Sequence, residues 1–453
     1  MKRWDHCATQ IALVDVNNFY VSSERAFDPV IRHKPVAVYS NNDGCVIARC
    51  AEVKAMGVKM GVPEFEVRDL FRARGVVARS SNYALYHDMS MRFVASLEQF
   101  CPQVEQYSID ESFLHFHGFG AGLAEHCQRL VAAVQQWTSM PCCAGIAPTR
   151  TLAKAANHFA KTLGVPGGVL QVGSEYHRQQ LLKQLPVGEV WGVGRRIARR
   201  LAMLDIHTAW DLAAAHVPTI RKAFGVTLER TLRELQGVPC IELAPLDQAK
   251  HEIVSGRMFG RRLTQFDDVM AAVANHVQLA GEKLSAQDGV TGRLTVSVQA
   301  REPGGDWRYL SGHAEFRPAV KDLQVLTAAA RSALKEVFLA GREYRRASVC
   351  FSALERAREQ QHDLFGSACG DRDNRDNQDN PSQQNNRVQQ NNLDHHDHKE
   401  RLSACLADIN QRFGRGGVVL ASARLSDEWQ MKRAHLSPAY TTDFRQLPVA
   451  RTG

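Results

Sequence analysis

The stretch Ile11-Ala12-Leu13-Val14-Asp15-Val16-Asn17-Asn18-Phe19-Tyr20 decides how this chain is read, together with Tyr107-Ser108-Ile109-Asp110-Glu111-Ser112-Phe113. Each is an apolar run of the buried β-strand kind, interrupted by acid. A buried carboxylate is costly unless it is paired or holds a metal. Asp15, Asp110 and Glu111 on neighbouring strands would repel one another strongly without cations. An oxygen-only, carboxylate-rich site suits hard divalent ions such as Mg²⁺. Two such ions clamp the attacking and leaving oxygens of a phosphoryl transfer. Regular strand alternation sends adjacent acids to opposite faces. A hairpin at 110–111 lets both face one site.

Around these acids, residues 11–170 read as an α/β segment. The strand ending at Asp15 is followed by a helix over 19–27 and a strand over 34–40. Helices are expected around 51–56 and 83–97, and strands over 104–109 and 112–116. A helix over 123–137, a strand over 142–147 and a helix over 151–161 complete a β-α-β-β-α-β order, which suits a ferredoxin-like sheet. Residues 171–243 look helical with short loops, and strands and helices alternate again over 251–353. Residues 367–400 are dominated by Asn, Asp, Gln and Arg. Such a tract cannot bury enough surface to offset its chain entropy, so it reads as a disordered linker. Pattern returns from about 401.

Lys and Arg total 56 against 48 for Asp and Glu, a formal charge of +8. That excess permits nucleic-acid binding without demanding it. The 11 cysteines form no CxxC pair and read as reduced thiols, with no zinc site among them. No run approaches the ~20 apolar residues of a membrane span, and the N-terminus shows no apolar signal segment. A soluble cytoplasmic protein without membrane contact is expected.

Asp15-Val16-Asn17-Asn18-Phe19-Tyr20 and Ser108-Ile109-Asp110-Glu111 resemble the two catalytic motifs of the Y-family, or translesion, DNA polymerases. Ser40-Asn41-Asn42-Asp43-Gly44-Cys45, Met56-Gly57-Val58-Lys59-Met60-Gly61, Trp191-Gly192-Val193-Gly194-Arg195-Arg196 and, near the C-terminus, Trp429 to Pro438 add to the resemblance. It implies an α+β right-hand polymerase: a ferredoxin-like palm (11–35 and 91–170), small fingers (36–90), a helical thumb with a helix-hairpin-helix (171–245) and an α/β little finger (250–355). A ten-residue N-terminal extension, a clamp-binding peptide (356–366), the linker and a C-terminal region (401–453) complete the expected organisation.

The resemblance also implies roles. Asp15, Asp110 and Glu111, with the backbone carbonyl of Val16, would hold two Mg²⁺ ions, for which Mn²⁺ can substitute. Tyr20 would be the gate that collides with a ribose 2′-hydroxyl, and Phe19 a core residue. Lys54 and Lys161 would bind the dNTP triphosphate, with Arg49 a substitute contact. Many family members carry Tyr and Arg three residues apart in the fingers; here those positions are Ala51 and Lys54. The hairpin glycines Gly192 and Gly194, followed by Arg195 and Arg196, would accept primer-template phosphate. Arg257, Arg261 and Arg262 fit either DNA contacts or a charged edge strand that resists aggregation. Gln361, Leu364 and Phe365 resemble the bacterial sliding-clamp peptide. The implied function is error-prone synthesis in the SOS response. Implied partners are the clamp, a dimer of processed UmuD and the RecA filament. The alternative is a non-catalytic DNA-binding assembly factor that retains the polymerase fold.

Overall fold

The computed structural model describes residues 9–119, 122–241, 250–357 and 429–447, with single positions at 405, 409, 412, 418, 421 and 449. Two units are distinguished, 1–245 with 433–453, and 246–432. In the first, β1 (Gln10–Val16) is the central strand of a five-stranded sheet, because both of its faces are apolar. Ala12, Val14 and Val16 enter one core, while Ile11 and Leu13 enter another with Phe113. After β1 come α1 (Phe19–Phe27), β2 (Val36–Tyr39), β3 (Val46–Arg49), α2 (Ala51–Ala55), α3 (Glu64–Ala73) and β4 (Val77–Ser80). Then follow α4 (Tyr83–Glu98), β5 (Val104–Gln106), β6 (Glu111–Phe116), α5 (Leu123–Thr138), β7 (Cys142–Ala147), α6 (Arg150–Thr162) and β8 (Val169–Gln171).

The main sheet has the order β5-β6-β1-β7-β8, and a small sheet has the order β3-β2-β4. β1 pairs antiparallel with both β6 and β7. With α4 and α5 as crossovers, β1, β5, β6 and β7 make the ferredoxin-like palm; β8 extends it in parallel on β7. The small sheet with α2 and α3 forms the fingers. The helix α3 and the strands β3, β4 and β8 are additions to the elements expected from the sequence. Five short helices follow: α7 (Glu175–Gln184), α8 (Arg195–Ala202), α9 (Ala209–Ala214), α10 (Val217–Phe224) and α11 (Val226–Leu235). The buried Glu234 of α11 ties them to the palm. It accepts from the N–H and hydroxyl of Thr151 at 2.9 Å each and from the N–H groups of Cys240 and Ile241. Four donors on one carboxylate offset most of its desolvation.

The second unit holds β9 (Ile253–Leu263), α12 (Phe266–Ala286), β10 (Gly289–Arg301), β11 (Trp307–Val320), α13 (Leu323–Val337) and β12 (Tyr344–Arg356). Its sheet order is β11-β10-β12-β9. Leu294, Val296 and Val298 of β10 and Ala347, Val349 and Phe351 of β12 point to the helices, leaving the alternate residues on an open face. Among the described residues, no helix is long and apolar enough to cross a membrane.

His276 of α12 is buried in this unit, with Nδ1 3.0 Å from the Ser255 hydroxyl and Nε2 without a hydrogen-bond partner. Burial pushes its pKa down to about 4, helped by Arg257, Arg346 and Lys283. The unfolded imidazole titrates near its ordinary value of about 6.5. Between those values the unfolded state binds more protons, so stability is full above about 6.5 and is lost as pH falls toward 4. The slope is at most about 1.4 kcal/mol per pH unit. Thermal unfolding of this unit should therefore shift down between pH 7 and pH 5, and His276→Gln should flatten that shift; an equal shift in both proteins would exclude His276 as its source.

Candidate active site

Asp15 sits one residue before the end of β1, and Glu111 is the first residue of β6. The register pairs them directly. Directly opposed residues of an antiparallel ladder share a face, so two carboxyls meet there. Asp110 lies in the turn before β6. The Ser108 hydroxyl donates to Asp110 Oδ1 at 2.6 Å and accepts from the N–H groups of Asp110 and Glu111 at 3.3 and 3.1 Å. The N–H of Val16 donates to the carbonyl of Asp110 at 2.9 Å, which fastens the end of β1 to the turn. The hairpin therefore sets Glu111 opposite Asp15, while Asp110 meets Asp15 at the lining of a common cavity.

Each strand acid faces a lysine of α6. Lys161 Nζ is 2.5 Å from Asp15 Oδ1 and Lys154 Nζ is 2.8 Å from Glu111 Oε2. Lys154 also lies 4.5 Å over the Tyr107 ring and 5.2 Å over that of Trp191. Two features seat this helix so close. A Cβ on Gly145 of β7 would stand 2.2 Å from the Ala153 carbonyl and from the Asn157 N–H nitrogen. Only glycine permits that approach. Asn157, buried, donates to the carbonyls of Cys143 at 2.9 Å and Leu13 at 3.3 Å. Asn157 thus anchors the helix, and it lines the same cavity as Lys154 and Lys161.

Burial raises the Asp15 pKa to about 7; Lys161 opposes the rise and Glu111 adds to it. Among the described residues no three His, Cys, Asp or Glu side chains already stand together as a metal group. The lysines hold Asp15 and Glu111, and Ser108 holds Asp110. The donor set nevertheless has the chemistry a hard divalent cation takes, since all of it is oxygen, gathered at the end of β1 and the start of β6.

A cavity of about 340 Å³ opens here, lined by Asp15, Val16, Tyr20, Arg49, Lys54, Asp110 and Lys161 among others. A second, of about 290 Å³, shares Asp15 and Lys161 and reaches Glu111, Lys154 and Trp191. Lys54 Nζ donates to Asn18 Oδ1 at 2.6 Å. Partial burial, with Arg49 and Lys161 nearby, lowers its pKa. Asn18, at φ 50°, is the left-handed residue that turns β1 into α1. The Arg49 guanidinium donates to the carbonyl of Val58. Phe19 is 3% exposed and belongs to the core, while Tyr20 is half-buried at the cavity.

Gly192, at φ 86°, and Gly194 lead into α8, where Gly194 is the N-cap and Arg195 and Arg196 are exposed. In the second unit Arg257 shares the helix-facing side of β9 with Ser255, beside His276 and Lys283. That separates it from the open-face row of Met258 and Arg346. Arg262 instead lies 4.6 Å over the Trp307 ring, as Arg345 does at 4.3 Å. Arg261 lies in the same bulged end of β9. Gln361, Leu364 and Phe365, and the tract 367–400, lie outside the described residues.

Comparison with known proteins agrees with this architecture. The family model described as the impB/mucB/samB family matches residues 14–158, and its C-terminal domain matches 250–364. A helix-hairpin-helix motif of that family matches 177–206, and a domain of unknown function matches 400–450. Protein ImpB of Salmonella typhimurium is 39% identical over 98% of this chain and 100% of its own length. Protein UmuC of the same species, strain LT2, is 37% identical over 96% of this chain and 99% of its own. A solved Y-family DNA polymerase chimera of Dbh and Dpo4 shares the fold, with a TM-score of 0.58 and 20% identity over 76% of this chain and 98% of that one. With its acids, lysines and hairpin on that scaffold, the chain belongs to the impB/mucB/samB family of Y-family DNA-directed DNA polymerases.

Proposed function

We propose that this chain is the catalytic subunit of a polymerase V-like complex, adding dNTPs in an error-prone, template-directed way across lesions during SOS mutagenesis. The observation that carries the reading is the single cavity that gathers Asp15, Asp110, Tyr20, Arg49, Lys54 and Lys161. Carboxylates suited to metal ions and cations suited to a triphosphate line the same space. Divalent cations, Mg²⁺ with Mn²⁺ as a substitute, would be held by Asp15, Asp110, Glu111 and the Val16 carbonyl, and would supply the charge stabilisation of two-metal phosphoryl transfer. Lys161 and Lys54, freed from Asp15 and Asn18, orient the triphosphate, with Arg49 beside them. Tyr20 closes the space under the sugar. Gly192, Gly194, Arg195 and Arg196 take template or primer phosphate without reading sequence. The small fingers leave fewer contacts to the nascent pair, which relaxes shape checking.

Primer extension by the purified full chain, with processed UmuD dimer and RecA filament supplied, tests this. Addition of the dNTP complementary to each of four template bases supports the reading. DNA binding without any addition favours the assembly factor. Recruitment gives a separate prediction. Leu364→Ala with Phe365→Ala should abolish most clamp stimulation while sparing clamp-independent synthesis on short primers. Burying two such side chains contributes roughly 1.5–3 kcal/mol each, a large share of a short peptide's affinity. Equal clamp stimulation of variant and parent would remove the motif from the account.

A further inference from the structure

Tyr20 does not stand alone. Its ring stacks on Tyr86 of α4, with centroids 4.4 Å apart and planes 23° from parallel. Tyr86 is fully buried, and its hydroxyl donates to Glu24 Oε1 at 2.8 Å. Glu24 lies one helical turn after Tyr20 on α1, so the two share a face. The same Oε1 accepts from the Ser437 hydroxyl at 3.1 Å. Ser437 comes from the far end of the sequence, yet it is 4% exposed.

The residues around Ser437 are held at several points. Asn82 caps α4 by accepting from the Leu85 N–H, and its amide donates to the Ser437 hydroxyl at 2.9 Å and the Pro438 carbonyl at 3.3 Å. Ser80 N–H donates to the His435 carbonyl at 2.9 Å, and His435 N–H donates to the Ser80 hydroxyl at 2.9 Å. Ala434 N–H donates to Asp43 at 2.8 Å, and Tyr440 stacks on Phe27 of α1 at 5.3 Å. The segment therefore lies across both helices that carry the stacked tyrosines.

Glu24 is the unusual member. It is 0% exposed, and its Oε2 has no hydrogen-bond partner. Burial raises its pKa. A buried acid half satisfied in this way is costly to fold, and an apolar residue would pack there at less cost. What the acid does is join α1, α4 and the C-terminal segment at one oxygen.

We propose that Glu24, Tyr86 and Ser437 are positioning residues for the sugar gate, so that the C-terminal segment Ala434–Tyr440 takes part in selecting deoxyribonucleotides. This rests on the reading of Tyr20 as the gate. A steric gate works only if its ring cannot retreat. The ring of Tyr86 is the wall behind it, and the Glu24 hydrogen bonds keep that wall in place. Loss of either hydroxyl lets the pair relax and admits a 2′-hydroxyl.

The test is single-nucleotide addition of dCTP and rCTP opposite template dG by the full chain carrying Tyr20→Ala, Tyr86→Phe or Ser437→Ala, with a thermal midpoint for each. Tyr86→Phe keeps the stack and Ser437→Ala keeps the fold, so neither needs the core rebuilt. Each should lower the dCTP-to-rCTP ratio of kcat/KM roughly three- to tenfold, chiefly through a lower KM for rCTP. The dCTP kcat should stay within about twofold of the parent. Combining Ser437→Ala with Tyr20→Ala should add nothing to the loss from Tyr20→Ala, because both act on one ring. A ratio unchanged in Tyr86→Phe and Ser437→Ala, while Tyr20→Ala lowers it, overturns the positioning role and leaves the gate standing. A fall of dCTP and rCTP addition together, in step with the thermal midpoint, overturns it too. An unchanged ratio in Tyr20→Ala removes the gate and this inference with it.

Discussion

Primer extension in Mg²⁺ should fall by about a thousandfold or more in Asp110→Ala and in Glu111→Ala, with primer-template affinity nearly unchanged. Few oxygens are available here, and each acid supplies a different part of the site. Glu111 is paired in register with Asp15, so its loss removes half of the charge at the strand end. Asp110 reaches the cavity from the turn, held by the Ser108 hydroxyl at 2.6 Å. Neither acid is part of the apolar core, and the backbone bonds from Tyr107 and Ser108 N–H to the Glu111 carbonyl do not need the side chains. Both variants should therefore fold. In Glu111→Ala, Lys154 loses its carboxylate but keeps the rings of Tyr107 and Trp191. Single-turnover extension, DNA-binding anisotropy and a thermal midpoint on the same preparations check the result. Substantial extension by either variant would sink the assignment of the acids.

Tyr20→Ala should raise ribonucleotide incorporation relative to deoxyribonucleotide by about five- to more than a hundredfold, the equivalent of relieving roughly 1–3 kcal/mol of overpacking. Phe19→Ala should behave differently. Phe19 lies in the core with Val14, Val16 and Tyr86, so removing its ring should cost about 3–5 kcal/mol of stability. Sugar choice in whatever folded protein remains should change little. Incorporation ratios and denaturant midpoints for the two variants separate gate from core. If Tyr20→Ala discriminates as the parent does, the gate lies elsewhere, and Phe19 becomes the first residue to examine.

The palm was legible because its signals are local. The strand over 142–147 and the helices near 83–97, 123–137 and 151–161 all appear within a residue or so, as β7, α4, α5 and α6. The hairpin at Asp110-Glu111 followed from a simple constraint: adjacent acids cannot serve one site from a straight strand. What the sequence hid depends on distant partners or on register. Gly145 reads as a weak strand residue until α6 is seen to press on it. Asn157 reads as a polar helix position until its amide reaches two strand carbonyls. Arg257 follows its neighbours Arg261 and Arg262 in sequence, but strand alternation and the bulge after Met258 put it on the helix side. Glu24 looks like any surface acid of an amphipathic helix. Only its contacts with Tyr86 and, far along the chain, Ser437 reveal it as buried. No period or propensity encodes a hydrogen bond of that separation.

Synthesis across an abasic site is the decisive measurement. The full chain, with processed UmuD and RecA filament, should extend a primer past the lesion in Mg²⁺, and Asp110→Ala bound to the same primer-template should not. A parent chain that binds primer-template normally yet adds no nucleotide, even on undamaged template, would contradict the catalytic reading.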